Sequence, residues 1–197
     1  ARVYAEDPMR EFLPSTGRLV DYLPPVETEK VRVDAGVDEG GEVSTFYDPM
    51  IAKLVTFGQT RDEAIGQMTH AIDRFYIRGV RHNLVFARAM MVNDHFVSGD
   101  FTTEFIAKEY PDGFSRKDAL PEDVTAFVAA VASVHHRHLS RTAQMNSRIA
   151  GQTGKSNAEE YVIFIDEAQY PVRVTATNYG HDVESEGCVY QVASDWS

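Results

Sequence analysis

The segment VRVDAGVDEGGEVSTFYDPMIAKLVTFGQTRDEAI, residues 31–65, decides the fold of the first half of this 197-residue chain. Val31–Val33 alternates apolar and charged side chains, a pattern typical of a strand that buries its valines and exposes the arginine between them. Met50–Phe57 is a second and mostly apolar strand. Thr60, with Glu63 three residues later, is a capping box that begins a helix. The segment therefore predicts two strands followed by a helix.

Outward from this segment, short strand patterns alternate with turns. The predicted strands are Ala1–Tyr4, Arg18–Leu23, Val31–Val37 and Met50–Phe57, with a short one around Tyr76–Ile77. Turn residues separate them at short intervals, so we expect mainly an antiparallel sheet. The helix that begins at Thr60 carries apolar side chains at helical spacing, and these form a predicted core stripe of Ala64, Ile65, Met68, Ile72 and Phe75.

Two further helices are predicted before residue 111. Asn83 is placed to cap one of them. Its inward side chains are predicted to be Leu84, Ala87, Met91 and Val92. Thr102 or Thr103 caps the other, which ends near Tyr110.

The second half of the chain has a different pattern. Residues 111–118 form a linker rich in Pro, Gly and charge, which predicts two domains, 1–114 and 115–197. A long helix starts near Pro121, and its predicted apolar stripe is Val124, Phe127, Val128, Val131, Val134 and Leu139. Three strands follow, at Tyr161–Ile165, Tyr170–Thr177 and Cys188–Ser194. A helix followed by strands indicates an α+β fold, with the helix covering an antiparallel sheet.

Composition excludes several classes of function. A net charge of −11 and a pI near 5.0 argue against nucleic-acid binding, which needs a surplus of Lys and Arg. We expect no membrane span, because no apolar run approaches the roughly 20 residues that one requires. The single cysteine, Cys188, fits a reducing compartment and is interpreted as an incidental thiol. Both ends resemble cut ends, so we expect a piece of a longer polypeptide.

Several segments in order carry a family resemblance. They are ARVYAEDP (1–8), FLPSTGRL (12–19), VRVDAGV (31–37), YDPMIAKL (47–54), RDEAI (61–65), IRGVRHN (77–83), GDFTTEFI (99–106) and YPDGF (110–114). Together they resemble the C-terminal part of the biotin carboxylase domain of biotin-dependent carboxylases. VRVDAG and YPDGF are most similar to the α subunits of propionyl-CoA carboxylases.

The resemblance implies a ligase that uses ATP, Mg and bicarbonate to carboxylate biotin on a carrier domain. A carboxyltransferase β subunit then passes the carboxyl group to propionyl-CoA, so the whole enzyme is a hetero-oligomer. It would be cytoplasmic in a bacterium and in the mitochondrial matrix in a eukaryote. The second region resembles the module that docks the β subunit, a long helix surrounded by an antiparallel β-barrel, of which only part fits before Ser197.

The same resemblance assigns site residues. Arg32 falls on the family arginine that binds biotin and stabilises its enolate, a task suited to a permanent guanidinium. The alternative for Arg32 is a structural ion pair with Asp34 or Glu29. Thr103 and Glu104 lie where the family's last helix approaches the adenine end of the ATP pocket, as possible nucleotide contacts. No metal ligand is assigned to this chain.

Other candidates have structural interpretations. Lys53 is read as an edge lysine that reaches water, and Arg61 as an interface residue held by Asp62 or by a dimer partner. His135, His136 and His138 are interpreted as a solvated helix surface, since no further ligand follows at metal-binding spacing. Gly151–Ser156 resembles the end of a phosphate loop, but it lacks the first glycine and follows a helix, so we reject it.

The sequence also shows what is missing. It has no glycine-rich ATP-grasp loop, no paired metal-binding glutamates and no biotinyl lysine between methionines, so we expect the chain alone to be inactive. One alternative function is the α subunit of another acyl-CoA carboxylase, such as the 3-methylcrotonyl-CoA enzyme. Another is a non-catalytic docking module formed by the region beyond Pro121.

Overall fold

A computed structural model gives the structure of residues 1–44, 46–121, 123–146 and 158–193. The chain divides into two compact units, Ala1–Ala119 and Leu120–Ser197. Within the described residues, no helix is both long enough and apolar enough to cross a membrane.

Short strands make up most of the first unit's sheet structure. They are β1 (Arg2–Tyr4), β2 (Glu6–Asp7), β3 (Leu13–Pro14), β4 (Gly17–Arg18), β5 (Asp21–Leu23), β6 (Val31–Ala35), β7 (Glu42–Val43), β8 (Met50–Thr56) and β9 (Tyr76–Arg78). The main sheet has the order β1-β8-β6, and all of its pairs are antiparallel. Two-stranded pairs β2-β3, β4-β7 and β5-β9 flank it. The predicted antiparallel sheet is confirmed, while the predicted strand Arg18–Leu23 is two separate short strands.

The first unit also has the helices α1 (Arg61–Asp73), α2 (Leu84–Val92), α3 (Asp94–Ser98), α4 (Phe105–Glu109) and α5 (Arg116–Ala119). Of these, α1 packs on β8 and β6 of the main sheet, and α2 packs on α1. The α1 stripe is confirmed by the burial of Met68 and Ile72, which join Leu54 of β8 in one core cluster. Phe75 belongs to the same cluster but follows the end of the helix. Thr60 caps α1 as predicted, because its hydroxyl accepts from the Glu63 N–H at 3.2 Å.

The side chain of Asn83 has a different role from the predicted cap. Asn83 precedes α2 but makes no side-chain capping bond. Its Oδ1 instead accepts from the Tyr4 N–H at 3.0 Å, and its Nδ2 donates to the Arg2 carbonyl at 3.2 Å. Asn83 therefore satisfies the free edge of β1, since an edge strand leaves such groups unpaired. The predicted inward Val92 is also wrong, because it is exposed whereas Phe86 is buried.

The third predicted helix begins later than expected. Glu104 is the residue that precedes α4, and the Thr102 hydroxyl accepts from the Glu104 N–H at 3.3 Å. The sequence reading also missed α3. Its cap is Asn93, whose Oδ1 accepts from the N–H groups of His95 and Phe96.

Gly79, in the segment IRGVRHN, is required by the close approach of two backbones. Its φ is +108°, and a Cβ there would lie 2.0 Å from the carbonyl oxygen of Arg18. Only glycine adopts this conformation without strain and leaves room for the neighbouring chain. The adjacent hydrogen bond from the Val20 N–H to the Arg78 carbonyl, at 2.8 Å, depends on this contact.

The second unit consists of one long helix packed on a four-stranded meander. Its elements are α6 (Val124–Asn146), β10 (Ala158–Ile165), β11 (Ala168–Ala176), β12 (His181–Ser185) and β13 (Cys188–Val192). The strands pair in sequence order, all antiparallel. Asp123 caps α6, since its Oδ1 accepts from the Ala126 N–H at 2.8 Å. The sequence missed β12, and the described strands form an open sheet and no closed barrel.

The predicted single apolar stripe of α6 is wrong, because the sheet covers only one side of the helix. The side chains that pack on the sheet are Val128, Ala129, Ala132, Ser133 and His136. Four of the six predicted stripe residues are instead exposed: Phe127, Val131, Val134 and Leu139. The helix therefore has a second apolar face, which no described residue of this unit buries.

Neighbouring positions on α6 should respond very differently to a charge. Val128 is fully buried and Phe127 is 43% exposed. In the 197-residue chain, Val128→Asp should destabilise the second unit by about 3 kcal/mol or more, because it buries an unpaired carboxylate. Phe127→Asp should cost less than about 1 kcal/mol, as is usual for surface substitutions. Urea unfolding measures both, and equal losses would contradict the assigned faces.

Candidate functional site

The outward face of the β1-β8-β6 sheet collects basic side chains. The register places Lys53 of β8 directly between Arg2 of β1 and Asp34 of β6. Arg32 lies in the next row, opposite Val55. Because side chains alternate along a strand, burying Leu54 turns all of these side chains outward. The face therefore presents three cations beside one carboxylate.

Lys53 is not the edge lysine that the sequence predicted. It lies on the central strand of the sheet, paired on both sides, and is exposed on the outward face. Lys53 is exposed because side chains alternate along a strand, and its neighbours Ala52 and Leu54 both point into the core. The sequence showed the alternation but not which strand is central.

Arg32 pairs with Asp34, as the structural alternative predicted. Its Nε lies 3.1 Å from Asp34 Oδ1, and its Nη2 donates to Oδ2 at 3.3 Å. The Arg32 side chain is 66% exposed and that of Asp34 is 49% exposed. An ion pair this open to water contributes little stability, so the carboxylate orients the guanidinium more than it anchors the fold.

A loop fixes the edge strand that carries Arg32. The carboxylate of Glu27 accepts from the Val33 N–H at 2.8 Å, which satisfies a backbone donor on the free edge of β6. Lys30 pairs with Glu63 on α1, and Glu63 also accepts from the Gln59 N–H at 2.8 Å. The hydrogen bond from Lys30, followed by that of Gln59, lowers the pKa of Glu63. The edge is therefore covered and tied to the helix layer.

A groove of about 380 Å³ runs beside Arg32. One wall is the loop at Glu27–Lys30, and the other includes Val55 and Phe57, both exposed. The groove therefore sets an apolar surface next to a guanidinium. Such a combination suits a small ligand that is largely apolar and has one polar edge.

Thr103 and Glu104 lie in the helical layer and not on this sheet. Both are exposed in the segment that leads into α4. Glu104 Oε2 lies 3.1 Å from Lys108 Nζ, one helical turn on. Their predicted place at the edge of an ATP pocket stays a prediction.

Arg61 is held by a helix end and two rings instead of the expected carboxylate. Its Nε donates to the Val97 carbonyl at 3.3 Å, and its Nη2 donates to the Phe96 carbonyl. The guanidinium carbon lies 5.1 Å from the ring centroid of Phe96 and 5.8 Å from that of Phe101. A cation at the C-terminal carbonyls of α3 is favourable, so Arg61 connects α1 to α3.

The histidines of α6 do not share one environment. His135 and His138 are exposed as predicted, but His136 is 5% exposed and faces the sheet, so that part of the prediction is wrong. Within the described residues, no group of three His, Cys, Asp or Glu side chains could hold a metal ion. The predicted phosphate-loop mimic at Gly151–Ser156 lies outside the described residues. Cys188 is a free and exposed thiol.

Together, the fold and the site define an α+β domain whose sheet presents a cationic face, followed by a helix-and-meander module. The profile of the biotin carboxylase C-terminal domain matches residues 1–108, and that of the propionyl-coenzyme A carboxylase BT domain matches residues 127–197. The first match covers more than half of the chain. The chain belongs to the biotin carboxylase C-terminal domain family.

Individual relatives agree with this assignment. The propionyl-CoA carboxylase alpha chain of Ruegeria pomeroyi is 40% identical over 216 residues, covering 100% of this chain and 32% of the relative. The mitochondrial methylcrotonoyl-CoA carboxylase subunit alpha of Dictyostelium discoideum is 42% identical over 106 residues, covering 54% of this chain and 15% of the relative. This chain therefore spans about a third or less of these curated relatives.

A solved structure shows the same fold. It is the biotin carboxylase domain dimer of the Hydrogenobacter thermophilus 2-oxoglutarate carboxylase, in complex with MgADP, ADP and bicarbonate. Its TM-score is 0.53 at 32% sequence identity, and the match covers 56% of this chain and 24% of that chain.

Arg32 should contribute little to folding. Because its ion pair with Asp34 is largely exposed, Arg32→Ala should lower the free energy of unfolding of the 197-residue chain by about 1 kcal/mol or less. Asp34→Ala is the matched variant and should behave alike. Urea unfolding measures both, and a loss of several kcal/mol for Arg32→Ala would show that the arginine is structural.

Proposed function

We propose that this chain is part of the α subunit of an acyl-CoA carboxylase that acts on propionyl-CoA. In that enzyme, ATP and bicarbonate would carboxylate biotin on a carrier domain, and a carboxyltransferase β subunit would pass the carboxyl group to the acyl-CoA. Residues 1–114 would belong to the biotin carboxylase domain and residues 115–197 to a module that docks the β subunit. Similarity to a propionyl-CoA carboxylase alpha chain over the whole of this chain supports the proposal.

The observation that carries the catalytic part is the exposed guanidinium of Arg32 on the cationic face of the sheet. A surface guanidinium with one carboxylate partner keeps free N–H donors. Asp34 holds the plane of Arg32, Lys53 lies on the neighbouring strand β8, and Arg2 adds positive charge from the opposite edge of the sheet. This arrangement favours negative charge at the outward face.

We infer that the groove beside Arg32 takes the biotin ring system. Such a ring is apolar except for its ureido edge, and the groove sets Val55 and Phe57 next to the guanidinium. Biotin, when bound, supplies a ureido nitrogen that accepts the carboxyl group. Arg32 would donate to the ureido oxygen and stabilise negative charge as it develops there.

ATP and Mg would be bound mainly by parts of the longer protein. Thr103 and Glu104 remain our candidates for the edge of the nucleotide pocket. The solved relative with MgADP supports the use of a nucleotide by the family domain. We infer that the 197-residue chain by itself hydrolyses no ATP in a bicarbonate-dependent manner, because its sequence lacks the phosphate-binding loop.

The second unit would act as the docking module. We propose that further strands of the longer protein complete a β-barrel around α6 and cover its exposed apolar face. The open edges of the four-stranded meander and the exposed side chains Phe127, Val131 and Val134 support this proposal. The match of residues 127–197 to a BT domain supports it further.

A second candidate is the α subunit of a methylcrotonoyl-CoA carboxylase. The relative of that name matches 54% of this chain, whereas the propionyl-CoA carboxylase alpha chain of Ruegeria pomeroyi matches all of it. We favour propionyl-CoA for this reason. The names of the relatives include a bacterial chain and a mitochondrial subunit, which fits a cytoplasmic or a matrix enzyme.

Arg32 should affect the chemical step more than the binding of ATP. In the full-length protein, Arg32→Ala should lower the kcat of biotin carboxylation by about 10²–10³, the usual loss for one donor to a developing oxyanion. The KM for ATP should change little. Arg32→Lys should recover only part of the rate, because a point charge lacks the planar fork of donors. An Ala variant with full activity would contradict the assignment.

If a barrel is completed around α6, a charge at Phe127 should be more destabilising in the full-length protein than in the 197-residue chain. In the full-length protein, Phe127→Asp should lower the melting temperature of the module and increase hydrogen exchange in α6, because the side chain would be buried there. Phe164→Asp, at an exposed phenylalanine on the outer face of β10, is the matched control. If Phe127→Asp leaves the exchange of α6 unchanged, the helix face is not covered.

A further inference from the structure

A buried polar network joins α6 to the sheet of the second unit, and the proposed function does not use it. Ser133 Oγ lies 2.7 Å from His181 Nδ1 of β12. His136 Nδ1 lies 2.9 Å from the hydroxyl of Tyr161 on β10, which donates to Glu159. The network therefore connects the helix to two strands that are not neighbours in the sheet.

Two imidazoles lie face to edge at the centre of this network. The ring centroids of His136 and His181 are 5.0 Å apart at an interplanar angle of 82°. The two residues are 5% and 7% exposed. Burial places both rings where a charge is costly unless it is paired.

The network is not an arrangement for nucleophilic catalysis. Ser133 is only 2% exposed and lies within the helix–sheet interface, so its hydroxyl has no access to a substrate. The hydrogen bond between Ser133 and His181 therefore serves packing. What the network can change is its charge, since His181 carries an imidazole, the side chain whose ordinary pKa lies near neutral pH.

The two histidines have different neighbours. His136 Nδ1 lies 3.6 Å from a carboxylate oxygen of Glu159. The electrostatic neighbours of His181 are His136 and the cationic Arg137. Burial, followed by these neighbours, lowers the pKa of His181. A proton on His181 would therefore add a positive charge to a buried interface that already holds basic groups.

Polar and titratable side chains reach this network from three elements. Helix α6 contributes Ser133, His135, His136 and Arg137. Strand β10 contributes Glu159 and Tyr161, and β12 contributes His181. From β11 the facing residues include Val172, Val174 and Tyr170, and from β13 Tyr190 and Val192. Burial, followed by Glu159, raises the pKa of Tyr161 to about 12, so this phenol keeps its proton throughout the neutral and acid range.

We propose that His181, packed against His136, is an acid-sensitive lock between α6 and the meander, closed while the His181 ring is neutral. Uptake of a proton by His181 places a cation in the buried interface, where its ring centroid lies 5.0 Å from that of His136. The helix then separates locally from β12, where both rings reach water. Mild acid therefore opens the module without unfolding the first unit.

Proton linkage gives the direction in which the stability of the closed lock changes with pH. The pKa of His181 is lower in the folded state than in the unfolded chain, so opening takes up a proton. The stability that this group contributes is present above its unfolded pKa, which is about 6.5 for histidine. That stability is lost as the pH falls from there towards the folded pKa. The opening equilibrium should therefore rise by up to about tenfold per pH unit.

Hydrogen exchange in the full-length protein tests the lock locally. Between pH 7.5 and pH 5, protection of α6 and β12, corrected for the intrinsic exchange rate, should fall by up to about tenfold per unit below pH 6.5. A local readout is needed because burial also lowers the pKa of His82 in the first unit. Constant protection of α6 across this range would overturn the proposal.

Two substitutions identify the responsible ring. His181→Asn keeps a polar partner near Ser133 but cannot take up a proton, so its α6 protection should not depend on pH. His138→Asn, at an exposed histidine of the same helix, is the matched control and should keep the wild-type dependence. A wild-type pH profile in His181→Asn would contradict the assignment. If that variant does not fold, the profile of the unmodified protein still decides whether the lock exists.

Discussion

Pairing of β8 on both edges is the constraint on which the first unit depends. With β1 on one side and β6 on the other, the central strand can direct only one face to the helices. Ala52 and Leu54 take that face and are almost fully buried. Lys53 and Val55 must then point outward, and the register brings Arg32 of β6 alongside. The cationic face is thus a consequence of burying the opposite face.

Side chains from a helix end and from a loop complete this arrangement by fixing the edges of the sheet. Asn83 satisfies backbone groups of β1, and Glu27 does the same for β6. Both contacts use side chains in place of further strands, so the sheet can end without an exposed ladder. Arg61 connects the ends of α1 and α3 through carbonyls and aromatic rings. The face that carries Arg32 therefore rests on a rigid support, as a binding surface requires.

The second unit is held together by the interface between α6 and its four-stranded sheet. A single helix on a four-stranded meander can bury only one side, and the side that faces the sheet contains small and polar residues as well as valines. Ala129 and Ala132 allow a close approach, while Ser133 and His136 must find polar partners there. His181, Tyr161 and Glu159 provide them. The network is therefore the polar content of a helix–sheet interface, and His181 is the group through which the proposed lock would respond to acid.

Local patterns in the sequence determined the main strands, the capped helix α1 and the α+β class. The alternation around Arg32, the capping pair Thr60 and Glu63, and the motifs of the family are all short-range signals, so they can be read without a structure. Most turns could also be placed, because their residues act locally. The exposed position of Arg32 followed from the same alternation.

Only the tertiary structure decided which faces are buried and which side chains meet. The apolar residues of α6 are spread around more than one side of the helix, so their spacing could not show whether Val128 or Phe127 faces the sheet. The same ambiguity hid His136, and no periodicity links it to His181, 45 residues away. The sequence predicted Lys53 on an edge strand. It could not show that β8 is central, because strand order is set by pairing between distant segments. Asn83 has the sequence of a cap but bonds to β1, since the nearest unsatisfied backbone groups belong to a strand about 80 residues earlier.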